Sequence, residues 1–247
     1  MSFASLRTIL VTAPLVIGST LLMGFISLVV SLWDKAGDRQ LAIGRAWAKM
    51  LVASMRIRVT VVGLEHIDPA RNYIFVSNHL SYSDTPVIFS SIPVNFRFMA
   101  KKELFAIPFL GTHLRTAGHI PIANESPRDG IRSLSDGAKL IQDRHISVLI
   151  FPEGGRTLGE LGEFREGAAY LAIKSGTAVI PMALIGTRDI MPMHVKTVRG
   201  GPVTLRIGQP LSTDGMTIKD RAKLNDLLRE RVASLRSDGQ KTYTQPL

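Results

Sequence analysis

The hydrophobic residues of this chain form one long apolar stretch near the N-terminus and shorter apolar runs over the remainder. Residues 9–33 contain no charged side chain, and their number exceeds the roughly 20 that an α-helix needs to cross a bilayer. The stretch is also longer than the roughly 7–15 apolar residues of a signal peptide, and no small-residue cleavage site follows it. We therefore predict a retained, membrane-inserted helical segment, which either spans the membrane or enters and returns on one side.

A second helical pattern follows over residues 39–55. Apolar residues recur there at helical spacing, Arg45 and Lys49 occupy another face, and Trp47 suits a membrane interface. The pattern fits either a helix at the membrane surface or one facing a protein core, and we group residues 1–55 as N-terminal membrane-associated helices. Cations concentrate after the apolar stretch, which favours a cytoplasmic body; they are Lys35, Arg39, Arg45, Lys49, Arg56 and Arg58.

From residue 56 onward, short β-branched or apolar runs alternate with helical stretches. Strands are predicted at residues 56–62, 73–77, 96–100, 120–122, 148–151, 178–184 and 203–207. Helices are predicted to begin near Thr85, Pro127, Glu166 and Ile218, and Ser126 is expected to cap the second of these. This alternation predicts an α/β domain over residues 56–237, with a largely parallel central sheet flanked by helices. Residues 238–247 are expected to form a polar tail.

Composition and charge narrow the possible partners. The formal net charge is +10 and the mean hydropathy is +0.17, which together favour anionic and lipid partners. Aromatic residues make up 6% of the chain and do not alternate with basic ones, so we expect no nucleic-acid binding. The chain has no cysteine, and its histidines include no HExxH pair. We therefore expect neither a disulfide nor a metal site.

The first candidate for chemistry is the segment that follows the predicted strand 73–77. His79 lies at the exit of that strand, and Asp84 precedes Thr85-Pro86, where it is expected to cap a helix. A carboxylate on one imidazole nitrogen fixes the tautomer and leaves the other nitrogen free to accept a proton. Such a pair suits general-base activation of a substrate hydroxyl. The alternative is a capping aspartate beside a polar loop histidine.

A second candidate segment, residues 152–157, follows the predicted strand 148–151. Gly154 and Gly155 permit close backbone approach and present amide groups, and Arg156 offers a planar fork for a phosphate. Ligands of open α/β sheets bind beyond the carboxyl ends of strands, where both segments lie. The alternative is a turn with a solvated arginine. The chain contains no GxxxxGK[ST] string, which argues against a P-loop nucleotidase.

Together these segments resemble the motifs of the glycerolipid acyltransferases, the group that contains bacterial 1-acyl-glycerol-3-phosphate acyltransferase. The resemblance covers residues 59–210, with four motifs in the family's order. They are Asn78-His79-x-Ser81-x-x-Asp84, the region of Lys101-Lys102-Glu103-Leu104, Phe151-Pro152-Glu153-Gly154-x-Arg156, and Val179-Ile180-Pro181-Met182-Ala183. Two places depart from the family pattern: Gly155 stands where Thr or Ser is common, and the chain reads Ile122-Ala123-Asn124 where an arginine commonly closes the second motif.

The resemblance implies transfer of a fatty acyl group from acyl-CoA or acyl carrier protein to the sn-2 hydroxyl of 1-acyl-glycerol-3-phosphate. It implies that His79 is the base, that Asp84 holds it, and that Asn78 or amides near Gly154 support the oxyanion. The implied substrate-binding residues are Asn78, Ser81, Lys101, Lys102, Glu153, Gly154, Gly155 and Arg156. No cofactor is implied beyond the thioester co-substrate. The expected partners are a phosphate-bearing lyso-lipid, the acyl thioester and membrane lipids, at a bacterial-type inner membrane with the catalytic domain on the cytoplasmic side.

Three other functions fit parts of the sequence. The same chemistry suits another lyso-lipid or glycerol-3-phosphate as acceptor. A hydrolase would use the same base to activate water. A non-catalytic membrane protein that binds anionic lipids would need only the positive charge and the apolar N-terminus. Lys101 and Lys102 also fit solvated surface charge, and we interpret His113 and His119 as structural residues of a loop.

Overall fold

The computed structural model describes residues 2–34, 36–123, 126–193, 195 and 197–244. Its centre is a seven-stranded sheet with the order β1-β7-β6-β2-β5-β3-β4. The strands are β1 Ile57–Val62, β2 Ile74–Ser77, β3 Phe96–Lys101, β4 Ile120–Ile122, β5 Ser147–Ile150, β6 Val179–Ile185 and β7 Gly201–Ile207. All neighbouring pairs are parallel except β6 with β7, which are antiparallel. The prediction of a largely parallel sheet is confirmed.

Helices cover both faces of this sheet. The α-helices are α1 Phe3–Arg7, α2 Ala13–Val30, α3 Asp38–Ser54, α4 Asp84–Ser91, α5 Leu110–Thr116, α6 Pro127–Arg144, α7 Gly167–Ser175, α8 Thr187–Ile190 and α9 Arg221–Thr244. Short 3-10 helices occupy Leu64–His66, Lys102–Ala106 and Ile218–Asp220. Strands β2, β5 and β6 are buried along their whole length, because α3 and α4 pack on one side and α6, α7 and α9 on the other. This explains their continuous apolar sequences.

The N-terminal segment is helical, as predicted. Helices α1 and α2 join through a π-helical turn at Thr8–Thr12, and Phe3–Val30 is long and apolar enough to cross a membrane. Many of its large apolar side chains are exposed, including Phe3, Leu10 and Leu21. Helix α3 packs against both α2 and α4, which attaches the N-terminal helices to the sheet domain.

The connection between α2 and α3 contains a buried polar contact. The Ser27 hydroxyl donates to Gln40 Oε1 at 2.6 Å, and Gln40 Nε2 donates to the Ser27 carbonyl oxygen at 2.8 Å. Buried polar groups need such partners, so this reciprocal pair fixes how the two helices meet. Lys35, one of the cations that favoured a cytoplasmic body, lies outside the described residues.

The predicted strands agree with the structure to within two residues, and three boundaries elsewhere need correction. Ser83 caps α4, so Asp84 is the first helical residue rather than the cap. Helix α5 covers Leu110–Thr116, which places His113 on a helix and not on the predicted loop. Helix α9 continues to Thr244, past the predicted start of the polar tail, and residues 245–247 lie outside the described part. The predicted cap of α6 is confirmed, because Ser126 Oγ accepts from the Asp129 amide at 3.2 Å.

Candidate active site

The structure brings His79 and Asp84 into direct contact at the carboxyl end of β2. His79 Nδ1 lies 2.7 Å from Asp84 Oδ2, and the Asp84 side chain is 0% exposed. A buried carboxylate accepts hydrogen bonds, so Nδ1 carries the proton and His79 Nε2 is left as an acceptor. The Phe151 ring stacks on the imidazole at 4.0 Å between centroids, which fixes the plane of the ring. This arrangement suits a general base.

The loop before α4 is folded around the Asp84 carboxylate. Its Oδ2 also accepts from the Leu80 amide at 2.6 Å and the Ser81 amide at 2.8 Å. These bonds fix the orientation of a carboxylate that is 0% exposed. The same oxygen therefore shapes the turn and orients the histidine.

Glu153 joins the second candidate segment to the first. Its Oε1 accepts from the His79 amide at 2.7 Å, and its Oε2 accepts from the Gly162 amide at 2.9 Å. The Thr157 amide adds a bond to the His79 carbonyl oxygen at 2.9 Å. The resemblance implied that Glu153 binds substrate, but its oxygens accept from backbone amides, so in this structure it positions His79.

The two glycines of the second segment have different surroundings. Gly154 has a φ of +71°, and a Cβ there would lie 2.9 Å from the guanidinium of Arg165. A Cβ at Gly155 would meet no atom within 4 Å. The positive φ and the nearby Arg165 guanidinium therefore both favour glycine at position 154, whereas Gly155 borders open space.

Arg156 is held by an aromatic ring from the first candidate segment. Its Cζ lies 3.5 Å from the centroid of the Tyr82 ring, within the range of a cation–π contact. Its Nε is buried without a hydrogen-bond partner. The sequence indicated Arg156 but gave no sign of Tyr82, because their contact depends on how the two loops fold.

Two residues that were predicted to bind substrate are structural instead. Asn78 is 0% exposed, and its side chain bonds both backbone groups of Leu184, at 3.0 Å and 2.8 Å. Ser81 is also 0% exposed, donates to the Met191 carbonyl oxygen at 3.0 Å and accepts from Ser83. Their side chains face the protein interior, so neither is available to substrate, and Asn78 is not an oxyanion donor.

A single cavity of about 1270 Å³ connects this site with the N-terminal helices. Its polar end contains His79, Gly154, Gly155 and Arg156, and its remaining wall is mostly apolar. The apolar wall comes from α2, α3, α4, β3 and α5, with Phe25, Trp47, Phe89, Phe98 and Leu114 among its side chains. The sequence did not predict that α2 and α3 would close one side of the site.

The cations of the cavity differ in part from those that the sequence indicated. Lys101, Arg156 and Arg165 line it, and none of the described lining residues is a carboxylate. Lys102 is exposed and lies outside the lining. Arg165 was missed, since a lone arginine beside a buried Phe164 gives no signal of a site. Of Ile122-Ala123-Asn124, where the family commonly has an arginine, Ile122 lines the cavity and Asn124 lies outside the described residues.

His113, which is half-buried, and His119, which is buried, both line the cavity wall. Burial lowers the pKa of His113 to about 4. Burial, with the nearby charges of His113 and Arg97, lowers the pKa of His119 to about 3. His119 Nδ1 accepts from the Phe98 amide at 2.9 Å, and His113 Nδ1 lies 2.8 Å from the Ser27 hydroxyl. Both are thus neutral side chains that connect elements, in agreement with a structural role.

No three His, Asp or Glu side chains within the described ranges are grouped as metal ligands.

Comparisons with known proteins find similar sequences and a similar fold. A family model described as Acyltransferase matches residues 58–185. The 1-acyl-sn-glycerol-3-phosphate acyltransferase of Limnanthes douglasii is 31% identical over 174 residues, which are 70% of this chain and 60% of that protein. The human 1-acyl-sn-glycerol-3-phosphate acyltransferase alpha is 29% identical over 180 residues, 72% of this chain and 64% of its own length. The matched segment thus spans less than two thirds of these relatives.

A solved structure shares the fold over the whole chain. The crystal structure of the 1-acyl-sn-glycerophosphate acyltransferase PlsC from Thermotoga maritima superposes with a TM-score of 0.82 at 24% identity, covering 99% of this chain and 100% of the other. At 24% identity this similarity shows the fold alone, and the assignment to a family rests on the family model. With a family match over residues 58–185 that includes the loops of His79 and Arg156, this chain belongs to the glycerolipid acyltransferase family.

Proposed function

We propose that this protein transfers a fatty acyl group from a thioester to the sn-2 hydroxyl of 1-acyl-glycerol-3-phosphate, giving phosphatidate. The observation that carries the proposal is the cavity, in which a carboxylate-held histidine and three cations line one mostly apolar space. That combination matches a substrate with a phosphate, a hydroxyl and an acyl chain. The names of the relatives support the same acceptor.

In the proposed mechanism His79 acts as base and then as acid. Its Nε2 accepts the proton of the acceptor hydroxyl as the oxygen attacks the thioester carbonyl carbon, which forms a tetrahedral oxyanion. Asp84 stabilises the imidazolium through the 2.7 Å hydrogen bond. When the oxyanion collapses, the carbon–sulfur bond breaks and the thiolate takes the proton from His79. No acyl-enzyme is needed, because the thioester is already activated.

The oxyanion needs a hydrogen-bond donor near the imidazole. The Gly154 amide already donates to the Phe151 carbonyl oxygen at 3.1 Å, and the Asn78 side chain is occupied by Leu184. We therefore assign this role to the Gly155 amide, which follows in the same cavity-lining loop. One such donor contributes roughly 3–4 kcal/mol to lowering the barrier.

The remaining parts of the substrates fit the rest of the cavity. Arg156, fixed on Tyr82, offers its planar fork to the acceptor phosphate. The apolar wall between α2, α3 and α5 suits an acyl chain. Because α2 belongs to the apolar segment Phe3–Val30, lipid substrates would enter from a membrane that this segment contacts. We propose a bacterial-type inner membrane, with the catalytic domain on the cytoplasmic side.

An acceptor panel tests the proposal. Purified protein in detergent or vesicles is given long-chain acyl-CoA or acyl carrier protein thioester, with lysophosphatidate, glycerol-3-phosphate or an uncharged lysophospholipid, and products are followed by mass. Phosphatidate formed from lysophosphatidate is the expected result. Preferential use of another acceptor would move the assignment to that lipid. Free fatty acid as the main product in the presence of every acceptor would replace transfer by hydrolysis.

A further inference from the structure

The cavity holds more positive charge than one phosphate contact explains. Arg156 accounts for one contact, and Lys101 lies at the end of β3, yet Arg165 also lines the same space. A guanidinium that lines a cavity whose described lining residues include no carboxylate would attract an anionic ligand group.

Arg165 is held against the loop that carries the site. Its amide donates to the Pro152 carbonyl oxygen at 2.9 Å, which brings the two ends of residues 152–165 together. A Cβ on Gly154 would lie 2.9 Å from both Cζ and Nε of Arg165, so the guanidinium lies directly over this glycine. The absence of a side chain at Gly154 makes room for the arginine.

The acidic neighbours of Arg165 are engaged elsewhere. Glu153 binds the amides of His79 and Gly162 with its two oxygens. Glu163 lies 3.7 Å from Arg229, and Glu166 lies 2.6 Å from Arg221. Within the described ranges, Arg165 forms no ion pair. Its charge is thus left for a ligand, although three glutamates lie close in sequence.

We propose that Arg165 is a second phosphate-binding residue and that it contacts the acceptor phosphate together with Arg156. The two guanidinium groups have different surroundings: that of Arg156 stacks on Tyr82, and that of Arg165, whose side chain is exposed, lies over the space that a side chain at Gly154 would fill. Gly155 lies between Gly154 and Arg156 along the loop and borders open space, which accommodates phosphate oxygens. The inference rests on the proposed function, because it names the acceptor's phosphate as the ligand.

The test compares Arg165→Ala, Arg165→Lys and the matched control Arg128→Ala. Arg128 is an exposed cation on α6 that does not line the cavity. We expect Arg165→Ala to raise the KM for lysophosphatidate about 10- to 100-fold, the range for loss of a charged hydrogen bond. The KM for the acyl donor should change much less than the KM for lysophosphatidate. Lysine should restore part of the loss, and Arg128→Ala should behave as wild type.

Binding separates this inference from the proposed function. The Kd of lysophosphatidate is measured in the inactive His79→Ala background, with and without Arg165→Ala, so that no turnover is required. A Kd 10- to 100-fold weaker without Arg165 supports the inference even if the wild type proves to use another acceptor. An unchanged Kd and KM in folded Arg165→Ala would overturn it, as would a rise confined to the donor KM.

Discussion

Replacement of Asp84 by asparagine separates the two tasks of its carboxylate. Oδ2 accepts from His79 Nδ1, the Leu80 amide and the Ser81 amide, while Oδ1 is buried without a partner. In Asp84→Asn the amide oxygen can keep the two backbone bonds, and the amide nitrogen takes the place of the unpartnered oxygen. The loop is then retained, but the negative charge that stabilises the imidazolium is lost.

The magnitude follows from the chemistry of such pairs. In Ser-His-Asp hydrolases, the same substitution lowers kcat about 10⁴-fold with the geometry intact. We expect Asp84→Asn to lower kcat roughly 10³- to 10⁴-fold, which corresponds to about 4–5.5 kcal/mol in the barrier. The KM of each substrate should change less than about threefold, because the carboxylate is 0% exposed and touches neither substrate.

The assay is steady-state transfer with both substrates varied, alongside thermal denaturation. Asp84→Ala serves as the comparison, since it leaves two buried amides unpaired and should lower the free energy of unfolding by about 1–3 kcal/mol for each amide. Asp84→Asn should melt closer to wild type than Asp84→Ala. If Asp84→Asn keeps more than about a tenth of the wild-type kcat, Asp84 only stabilises the loop. The claim that its negative charge stabilises the imidazolium is then refuted.

Three further predictions follow from the surroundings of the site. Asn78→Ala removes both bonds to the Leu184 backbone and should lower the free energy of unfolding by about 2–4 kcal/mol; an unchanged denaturation midpoint would contradict this structural role. Gly155 borders open space, so Gly155→Thr should fold like wild type. Gly154→Ala is strained at φ +71° and should displace Arg165, which should lower the transfer activity at least about tenfold. Equal transfer activities of Gly154→Ala and wild type would show that Gly154 is not needed. His113 and His119 have folded pKa values of about 4 and about 3, below the ordinary value of 6.5. As the pH is lowered, the unfolded chain therefore binds these two protons before the folded protein does. The free energy of unfolding should fall by roughly 1.4 kcal/mol per pH unit for each imidazole as the pH decreases from 6.5 to 4. His119→Gln should have a shallower pH dependence of the denaturation midpoint, and an identical slope would refute the assignment.

The sequence predicted the parts of the fold that depend on local patterns. Strands β2, β5 and β6 have uninterrupted apolar runs because both their faces are buried, so their positions were clear. The contact of His79 with Asp84 was also predictable, because a strand exit and a helix start only five residues apart leave few ways to separate them.

Side-chain directions were not predictable in the same way. Asn78 is next to His79, yet it faces Leu184 in the sheet, and Ser81 faces Met191. Spacing in a loop does not show which side chain enters a cavity, so both were wrongly grouped with the substrate-binding residues. The correction leaves a site made chiefly of His79 and the loop around Gly155.

Contacts between residues that are distant in sequence could not be predicted either. Arg165 reaches the site because residues 152–165 fold back through the bond between the Arg165 amide and Pro152. Helix α5 has Gly111 near its start, which weakens a helical pattern, but a Cβ there would lie 2.0 Å from the Phe105 carbonyl oxygen. Such close approaches become visible only in three dimensions.

The central claim is that His79 moves the proton during acyl transfer, and a single-turnover comparison tests it most directly. Wild type and His79→Ala, saturated with lysophosphatidate, are mixed with acyl thioester, and phosphatidate is followed in time by mass. We predict rapid phosphatidate formation by wild type and a rate at least about 10³-fold lower in His79→Ala, with the Kd of lysophosphatidate unchanged. Phosphatidate formation by folded His79→Ala at a rate near that of wild type would contradict the account.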